Sequence, residues 1–147
     1  ILNIVKMIVK KTVLLITILI VTIQFFKAQE KTFDLTINIT DLSSNRGNIL
    51  LGVYNSKASF LKKPFKGNTL KIENNTATVN IKNLPMGEYA ISYVHDENNN
   101  KKLDTNIIGI PSEDYGCSNN ARGFMGPPKY DDAKFMLSEN MTISINN

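Results

Sequence analysis

Residues 33–40, FDLTINIT, alternate strictly between apolar and polar side chains. Phe33, Leu35, Ile37 and Ile39 therefore share one face of an extended chain, and the polar residues share the other. A period of two is typical of a β-strand that buries one face against a core. This stretch predicts that the domain is built from strands rather than helices.

Six further segments outside this stretch also have the composition of short strands. They are residues 48–54, 69–72, 76–81, 89–95, 133–137 and 141–145. The last two are joined by Ser138-Glu139-Asn140, a connection of hairpin length. No segment after the N-terminal region shows the period of an amphipathic helix, and 58–63 predicts only a short turn. The pattern predicts an all-β fold, a seven-stranded antiparallel Greek-key β-sandwich of the prealbumin or immunoglobulin type.

The segment 84–89, LPMGEY, marks a turn before a strand that carries two aromatic residues, Tyr89 and Tyr93. Pro85 presets its own φ and Gly87 accepts a positive φ, so the chain is expected to reverse between 79–81 and 89–94. Leu-Pro-x-Gly-x-Tyr turns resemble those of prealbumin-like sandwich modules in exported proteins. The turn favours a Greek key over a closed barrel.

The N-terminal 29 residues have the layout of a secretory signal peptide. Lys6, Lys10 and Lys11 precede an apolar run over 13–26, which is shorter than the roughly 20 residues of a membrane-spanning helix. We expect cleavage near Ala28 or Gln29, with an uncleaved membrane anchor as the alternative, and Met7 as the more ordinary start. The predicted organisation is a targeting segment over 1–29 and one β-sandwich domain over 30–147.

Charge and cysteine content exclude several classes of protein. Four of the 17 basic residues lie in 1–29, which contains no acid, so the remainder carries 13 basic and 13 acidic residues. This neutral domain has no basic stripe and is not expected to bind nucleic acid. The single cysteine, Cys117, cannot form an internal disulfide. We interpret it as a small buried residue, with a reactive thiol as the alternative.

Residues 96–130 form a predicted loop far longer than the usual connection of about 4–6 residues. The start of the loop has residues with oxygen atoms at the spacing of metal ligands. Counted from Asp96 as position 1, Asn98, Asn100 and Asp104 fall at positions 3, 5 and 9, and the carbonyl of Lys102 falls at position 7. Calcium takes oxygen ligands at such spacing in an EF-hand loop. Calcium is accordingly the one cofactor that we expect.

The calcium pattern is incomplete, and a second interpretation stays open. Position 6 is Lys101 instead of glycine, and position 12 is Ile107 instead of glutamate. Missing ligands would have to come from nearby oxygen-bearing residues, namely Glu97, Asn106, Glu113 and Asp114. Asp and Asn are also common in turns that bind no metal, because their side chains bond to local main chain. A purely structural turn is therefore the alternative.

A catalytic hypothesis rests on His95, the only histidine. A carboxylate beside it, from Asp96, Glu97, Glu113 or Asp114, could make it a general base. The resulting alternative is a small extracytoplasmic hydrolase that uses His95 with Asp96 or Glu113. The sequence contains neither an HExxH motif nor a metal-binding pair of cysteines. A histidine that fixes the exit of a strand needs no catalysis, and we do not expect an enzyme.

The second half of the loop combines a polar ridge with apolar anchors. Asn119, Asn120 and Arg122 are the residues that we expect to contact a ligand or partner, with pairing of Arg122 to Glu113 or Asp114 as the alternative. Five apolar side chains are expected to hold the loop against a sheet edge: Ile107, Ile108, Tyr115, Phe124 and Met125. The loop is therefore expected to be ordered.

Several short motifs together resemble one bacterial family. They are 84–90 (LPMGEYA), 95–98 (HDEN), 103–104 (LD), 109–111 (GIP), 115–116 (YG), 118–120 (SNN) and 126–128 (GPP). From Phe33 to the C-terminus the chain resembles the bacterial domain of unknown function 2141 family. Its members are small exported proteins without an established activity. Asn99 and Lys101 stand where the family pattern has glycines, and Cys117 where it has an aromatic residue.

These features together predict an exported, non-enzymatic module that presents its long loop to a binding partner. The expected location is periplasmic or extracellular, tethered to a membrane only if the N-terminal segment is not cleaved. The expected partner is a protein or glycan outside the cytoplasm. Calcium would stabilise the loop in this function.

Overall fold

The computed structural model describes residues 1–25, 30–124 and 126–147, and of residues 19–25 only the main chain. The chain divides into two compact units, Ile1–Glu30 and Lys31–Asn147. The first contains one helix, α1, over Leu2–Phe25. Among the described helices, none has the length and apolar character needed to cross a membrane. The cleavage predicted near Ala28 or Gln29 lies outside the described residues, as does Met125.

The second unit is rich in β-structure. Its described strands are β1 (Thr32–Thr40), β2 (Asn48–Tyr54), β3 (Lys66–Leu70), β4 (Ala77–Pro85), β5 (Gly87–Asp96), β6 (Tyr115–Cys117), β7 (Phe135–Leu137) and β8 (Met141–Asn146). A 3₁₀ turn over Ser118–Asn120 follows β6, and a short helix, α2, covers Tyr130–Ala133.

The strands form two sheets. One has the order β4-β1-β8, and the other has the order β3-β2-β5-β6, with β7 also paired to β5. Strands β6 and β7 share one edge of β5: β6 lies beside Ser92 and Val94, and β7 beside Gly87 and Tyr89. Both sheets contribute side chains to a common core.

That core follows the alternation seen in the sequence. Leu35, Ile37 and Ile39 of β1 are completely buried, as are Ile49 and Ile91 of the opposite sheet. Each such side chain stabilises the fold by about 1.5–3 kcal/mol through removal of apolar surface from water. The alternation therefore predicted correctly which face of β1 is buried.

A second buried cluster lies on the other face of β5. It contains Ala90, whose neighbour Ile91 points into the main core, because successive strand residues face opposite sides. Its other members are Tyr54, Phe60, Cys117, Ala121, Tyr130 and Ala133. Cys117 is only 2% exposed, and burial raises the pKa of its thiol to about 11. The interpretation of Cys117 as a small buried residue is confirmed.

Three details of the predicted sandwich are wrong. The described unit has eight strands rather than seven, because β6 was too short and too glycine-rich to show a period. The sheets are not wholly antiparallel, because β1 and β8 run parallel. Ala133 ends helix α2, so the predicted strand 133–137 is reduced to β7.

Two connections that were predicted to be hairpin turns within one sheet carry the chain from one sheet to the other. β7 pairs with β5, whereas β8 pairs with β1, so Ser138-Glu139-Asn140 is not a hairpin. Similarly, β4 and β5 belong to different sheets and only Met86 separates them. The Tyr89 hydroxyl donates to the Pro85 carbonyl across this corner at 2.9 Å.

The long connection is ordered, as expected, but it is not one loop. Strand β6 and the 3₁₀ turn interrupt it, leaving an uninterrupted segment over 97–114 between β5 and β6. We divide that segment, together with Asp96, into a base, residues 96–104 with 112–114, and a tip, residues 105–111. An isolated bridge between Thr105 and Pro111 closes the tip.

Candidate functional site

Asp96, the last residue of β5, organises the base. It is 1% exposed, and its carboxylate accepts the main-chain N–H groups of Asn100 at 3.0 Å and Lys101 at 2.9 Å. A buried carboxylate needs such partners, because an unpaired buried charge is very unfavourable. Asp96 thus bends the chain back on itself directly after the strand.

Asn98, Asn100 and Asp104 continue the same turn. The side-chain oxygen of Asn98 accepts the N–H of Asn100 at 3.0 Å, and that of Asn100 accepts the N–H of Lys102 at 2.9 Å. The amide groups of Asn98 and Asn100 donate to Asp104 at 2.5 and 2.8 Å. The structure therefore brings together the four side chains of the predicted metal set.

The main chain of the base contains two left-handed residues. Asn99 has φ 62° and Lys101 has φ 64°. These are the two positions where the sequence has residues other than the expected glycines. A left-handed conformation costs a non-glycine residue about 1–2 kcal/mol, and asparagine less. The hydrogen bond from the Lys101 N–H to Asp96 compensates part of that cost.

The donor set fits a calcium ion only in part. Side-chain oxygens of Asp96, Asn98, Asn100 and Asp104 converge in one turn, and two of these groups are carboxylates. Both Asp104 oxygens already accept amide hydrogens, which an ion would have to displace. Within the described ranges, no group of three or more His, Cys, Asp or Glu side chains is arranged to hold a metal. The base is closed by its own hydrogen bonds.

Glu113 fixes the other side of the base. One of its carboxylate oxygens accepts the N–H of Glu97 and the other accepts the N–H of Asp104, both at 3.0 Å. The sequence suggested Glu113 as an extra metal ligand or a catalytic carboxylate. In the structure both of its oxygens are used to hold the chain on either side of the turn.

Glu97 connects the base to the segment between β1 and β2. It accepts hydrogen bonds from Ser44 and Arg46, each at 2.7 Å. The hydrogen bond from Ser44 lowers the pKa of Glu97; burial opposes this, and the Arg46 charge adds to the lowering. Gly47 lies behind the base with φ +69°, and a Cβ there would be 1.9 Å from the Asp96 carbonyl oxygen. Only glycine fits that approach.

His95 is completely buried at the end of the main core. Its Nε2 lies 2.8 Å from the Arg46 carbonyl oxygen, which can only accept, so Nε2 donates. Its Nδ1 has no hydrogen-bond partner in the described part of the chain and lies 3.6 Å from an Asp114 carboxylate oxygen. The His95 main-chain N–H donates to the Asp114 carbonyl at 2.8 Å. His95 therefore ties β5 to both flanking loops.

Asp114 faces His95 from the opposite side of the base. Burial raises the pKa of Asp114, but hydrogen bonds from Ser43 and Asn147, together with the nearby His95 ring, outweigh that effect and leave the pKa below its ordinary value. Burial and the Asp114 charge raise the pKa of Tyr93 to about 12. The sequence suggested Asp114 as a spare ligand, as a partner of Arg122 and as one of the carboxylates that could flank His95, and the structure places it beside the His95 ring.

The structure does not place Asp96 and Glu113 at the His95 ring, although it does place Asp114 and Glu97 there. His95 and Asp96 are neighbours in β5 and point to opposite faces of the strand. The carboxylates nearest to the His95 ring are Asp114 and Glu97, at 3.6 and 4.0 Å, while Glu113 holds main-chain groups. The structure does not bring the three residues of the hydrolase hypothesis together as a catalytic set.

The polar ridge has a structural use. Asn119 donates to the carbonyls of Asp132 and Lys134 at 3.2 and 2.9 Å, and Asn120 accepts the N–H of Asn146 at 3.1 Å. Arg122 is exposed and forms no salt bridge with any residue that the structure describes, so its pairing with Glu113 or Asp114 is wrong. Of this predicted set, only Arg122 is free to meet a partner.

The apolar anchors predicted for the loop are the largest correction. Ile107 and Ile108 are 104% and 74% exposed, and Phe124 is 94% exposed, so these three do not pack against a sheet edge. Tyr115 does lie at a sheet edge, because it is half-buried in β6 and pairs with β5. Hydrogen bonds among polar groups hold the segment in place instead, so the isoleucines remain in solvent.

The model of the family described as an uncharacterized protein conserved in bacteria (DUF2141) matches residues 37–145. The chain belongs to the DUF2141 family. The resemblance found in the sequence motifs is thereby confirmed, and the match includes the whole of the DUF2141 base and tip. No curated protein and no solved structure matches this DUF2141 chain.

Proposed function

We propose that this DUF2141 protein is an exported, non-enzymatic binding module that presents the 96–114 segment to a partner outside the cytoplasm. The observation that carries the proposal is the construction of the base. Asp96 and Glu113 together hold four main-chain N–H groups, so the segment is a fixed platform. Preorganised elements of this kind bind with a smaller loss of conformational entropy.

The non-enzymatic part of the proposal has its own support. His95 and Asp96 are buried, and both Glu113 oxygens hold main-chain groups, so these residues are poorly placed to meet a substrate. If His95→Gln abolished a hydrolytic activity while leaving the melting temperature unchanged, this part of the proposal would be wrong.

The fold type proposed for this module is a Greek-key sandwich of the prealbumin or immunoglobulin class. Support comes from the Tyr89 hydroxyl, which bonds back to the carbonyl four residues earlier at a corner between sheets. Such a tyrosine corner is a hallmark of the immunoglobulin fold. Export is supported by the layout of 1–29, and N-terminal sequencing of the secreted protein tests it.

Calcium stabilisation of the base is the remaining part of the proposal. It is supported by the oxygens of Asp96, Asn98, Asn100 and Asp104 in one turn. At a calcium concentration about 100 times Kd, binding would add about 2.7 kcal/mol to the stability. We therefore expect calcium to raise Tm by about 10 °C relative to EDTA.

Matched variants make the calcium experiment specific. Asp104→Asn removes one carboxylate from the base and should abolish most of the calcium-dependent rise in Tm. Glu139→Gln removes an exposed carboxylate far along the chain and should leave the rise unchanged. Equal Tm values in calcium and EDTA would remove calcium from the proposal and leave the rest standing.

A further inference from the structure

The tip, residues 105–111, has the sequence TNIIGIP and contains no charged side chain. Its three isoleucines, Ile107, Ile108 and Ile110, project into solvent from one tight turn. Exposed large apolar residues that occur singly need no explanation, whereas a group of them marks an interaction surface. The group here is convex, so it would enter a partner rather than receive one.

Most main-chain N–H groups of the tip have hydrogen-bond partners within the tip itself. Asn106 accepts the N–H groups of Ile108 and Ile110 through its side chain, both at 3.0 Å. Its carbonyl accepts the Gly109 N–H at 2.9 Å, and its own N–H donates to the Ile110 carbonyl at 2.8 Å. Four of the five N–H groups of residues 106–110 thus have partners inside the turn. Such a turn can leave water with little loss of hydrogen bonding.

Near the tip, the acidic side chains are engaged within the base and the basic side chains are exposed to solvent. The acids of the base face inward: Asp96 and Glu113 hold main-chain groups, and Asp104 holds two amides. Lys101 and Lys102 are exposed and take part in no salt bridge between described residues. Lys102 is three residues from Thr105, so its ammonium group remains within reach of the surface that the tip enters.

We propose that the tip inserts into the interfacial layer of a phospholipid bilayer. The isoleucines would enter the boundary of the acyl chains, and Lys101 and Lys102 would meet the lipid phosphates. The two exposed lysines beside the isoleucines favour an anionic bilayer surface over an apolar protein groove, because their charges would face lipid phosphates there. This inference rests on the proposed role of the segment as a binding platform and names the surface that it binds.

A fluorophore placed on the tip tests the insertion directly in the full chain. Ile107→Cys labelled with nitrobenzoxadiazole reports the polarity around the tip, and Asn68→Cys on exposed β3 is the matched control. Cys117 is buried with a raised pKa, so it should label slowly. With vesicles of phosphatidylcholine and phosphatidylglycerol, we expect a blue shift and several-fold weaker iodide quenching at position 107 only.

Partition into the same vesicles supplies the second measurement. Ile107→Ser combined with Ile108→Ser should lower the partition coefficient at least about tenfold, because two apolar side chains no longer leave water. The wild type and the double variant both retain the N-terminal helix, so the contribution of this helix to partition is the same in both. Lys101→Gln combined with Lys102→Gln should weaken binding to the anionic vesicles more than binding to pure phosphatidylcholine, which carries no net charge.

The outcomes separate this inference from the proposed function. No blue shift at position 107, or equal shifts at positions 107 and 68, would overturn insertion. If calcium still raised Tm in that case, the platform would stand and its tip would have to fit a protein groove instead. A blue shift in both calcium and EDTA would support insertion whether or not the base binds the ion.

Discussion

The base and the tip of the 96–114 segment have opposite arrangements of polarity. In the base, carboxylates turn inward to hold main-chain groups, and Asp96 is almost fully buried. In the tip, isoleucines turn outward, and Ile107 is fully exposed. The comparison teaches that a segment of this kind is folded by its polar residues, which leaves its apolar residues available for contact.

The largest effect is expected from a matched pair of glycines, one behind the base and one in the tip. Gly47 has φ +69° and Gly109 has φ +80°, but an added Cβ collides with Asp96 and Glu97 only at Gly47. We expect Gly47→Ala to cost about 3 kcal/mol or more through this collision. Gly109→Ala should cost about 1 kcal/mol, from the left-handed conformation alone.

Urea unfolding of both variants measures this difference. The wild type and a Gly67→Ala variant serve as references, because a Cβ at Gly67 meets atoms only at 3.8 Å or beyond. Equal losses of stability at positions 47 and 109 would show that the base does not depend on close contact with the turn behind it.

A second test exchanges polarity within the segment. Asp96→Asn keeps the shape of the side chain but can accept with only one oxygen, so it loses its hydrogen bond to the N–H of Asn100 or of Lys101. We expect a cost of about 2 kcal/mol. Ile107→Asn should change stability by less than about 0.5 kcal/mol, since the side chain is fully exposed. A comparable loss for both variants, measured by urea unfolding, would break the contrast between base and tip.

The smallest expected effect concerns pH. The pKa values of Glu97 and Asp114 are both lowered in the folded protein, so each contributes stability above its unfolded pKa. That contribution is lost as the pH falls through the folded pKa. We expect Ser44→Ala to raise the pKa of Glu97, because the hydrogen bond from Ser44 is the largest cause of the lowered pKa. An unchanged Glu97 pKa in carboxyl NMR titrations of this variant would contradict the assignment.

Some strands could be predicted from the sequence and others could not, depending on whether the strand itself shows an alternating pattern. FDLTINIT predicted β1 and its buried face, because alternation is a property of the strand itself. Strand β6 was missed, since three residues around Gly116 carry no period. The parallel pairing of β1 with β8 depends on how Ser138-Glu139-Asn140 changes sheets, which no local pattern contains.

The candidate site was predictable in its spacing and not in its orientations. The alternate positions of Asp96, Asn98 and Asn100 correctly indicated one turn. Hydropathy did not predict that the isoleucines point into solvent. The tip is held by hydrogen bonds from main-chain N–H groups to the Asn106 side chain, which do not require the isoleucine side chains to be buried. Likewise, the use of Glu113 as a clamp depends on contacts with Glu97 and Asp104 at a distance along the chain.

Ser118 fills the gap between β6 and β7 beside β5. Its hydroxyl accepts the N–H of Ile91 at 2.9 Å and donates to the carbonyl of Ala133 at 2.5 Å. Without it, the edge of β5 would present an unpaired amide between two short partners. Open strand edges recruit other chains and seed aggregation. One buried hydroxyl therefore takes the place of a strand residue along the covered edge of β5, the longest strand of the larger sheet.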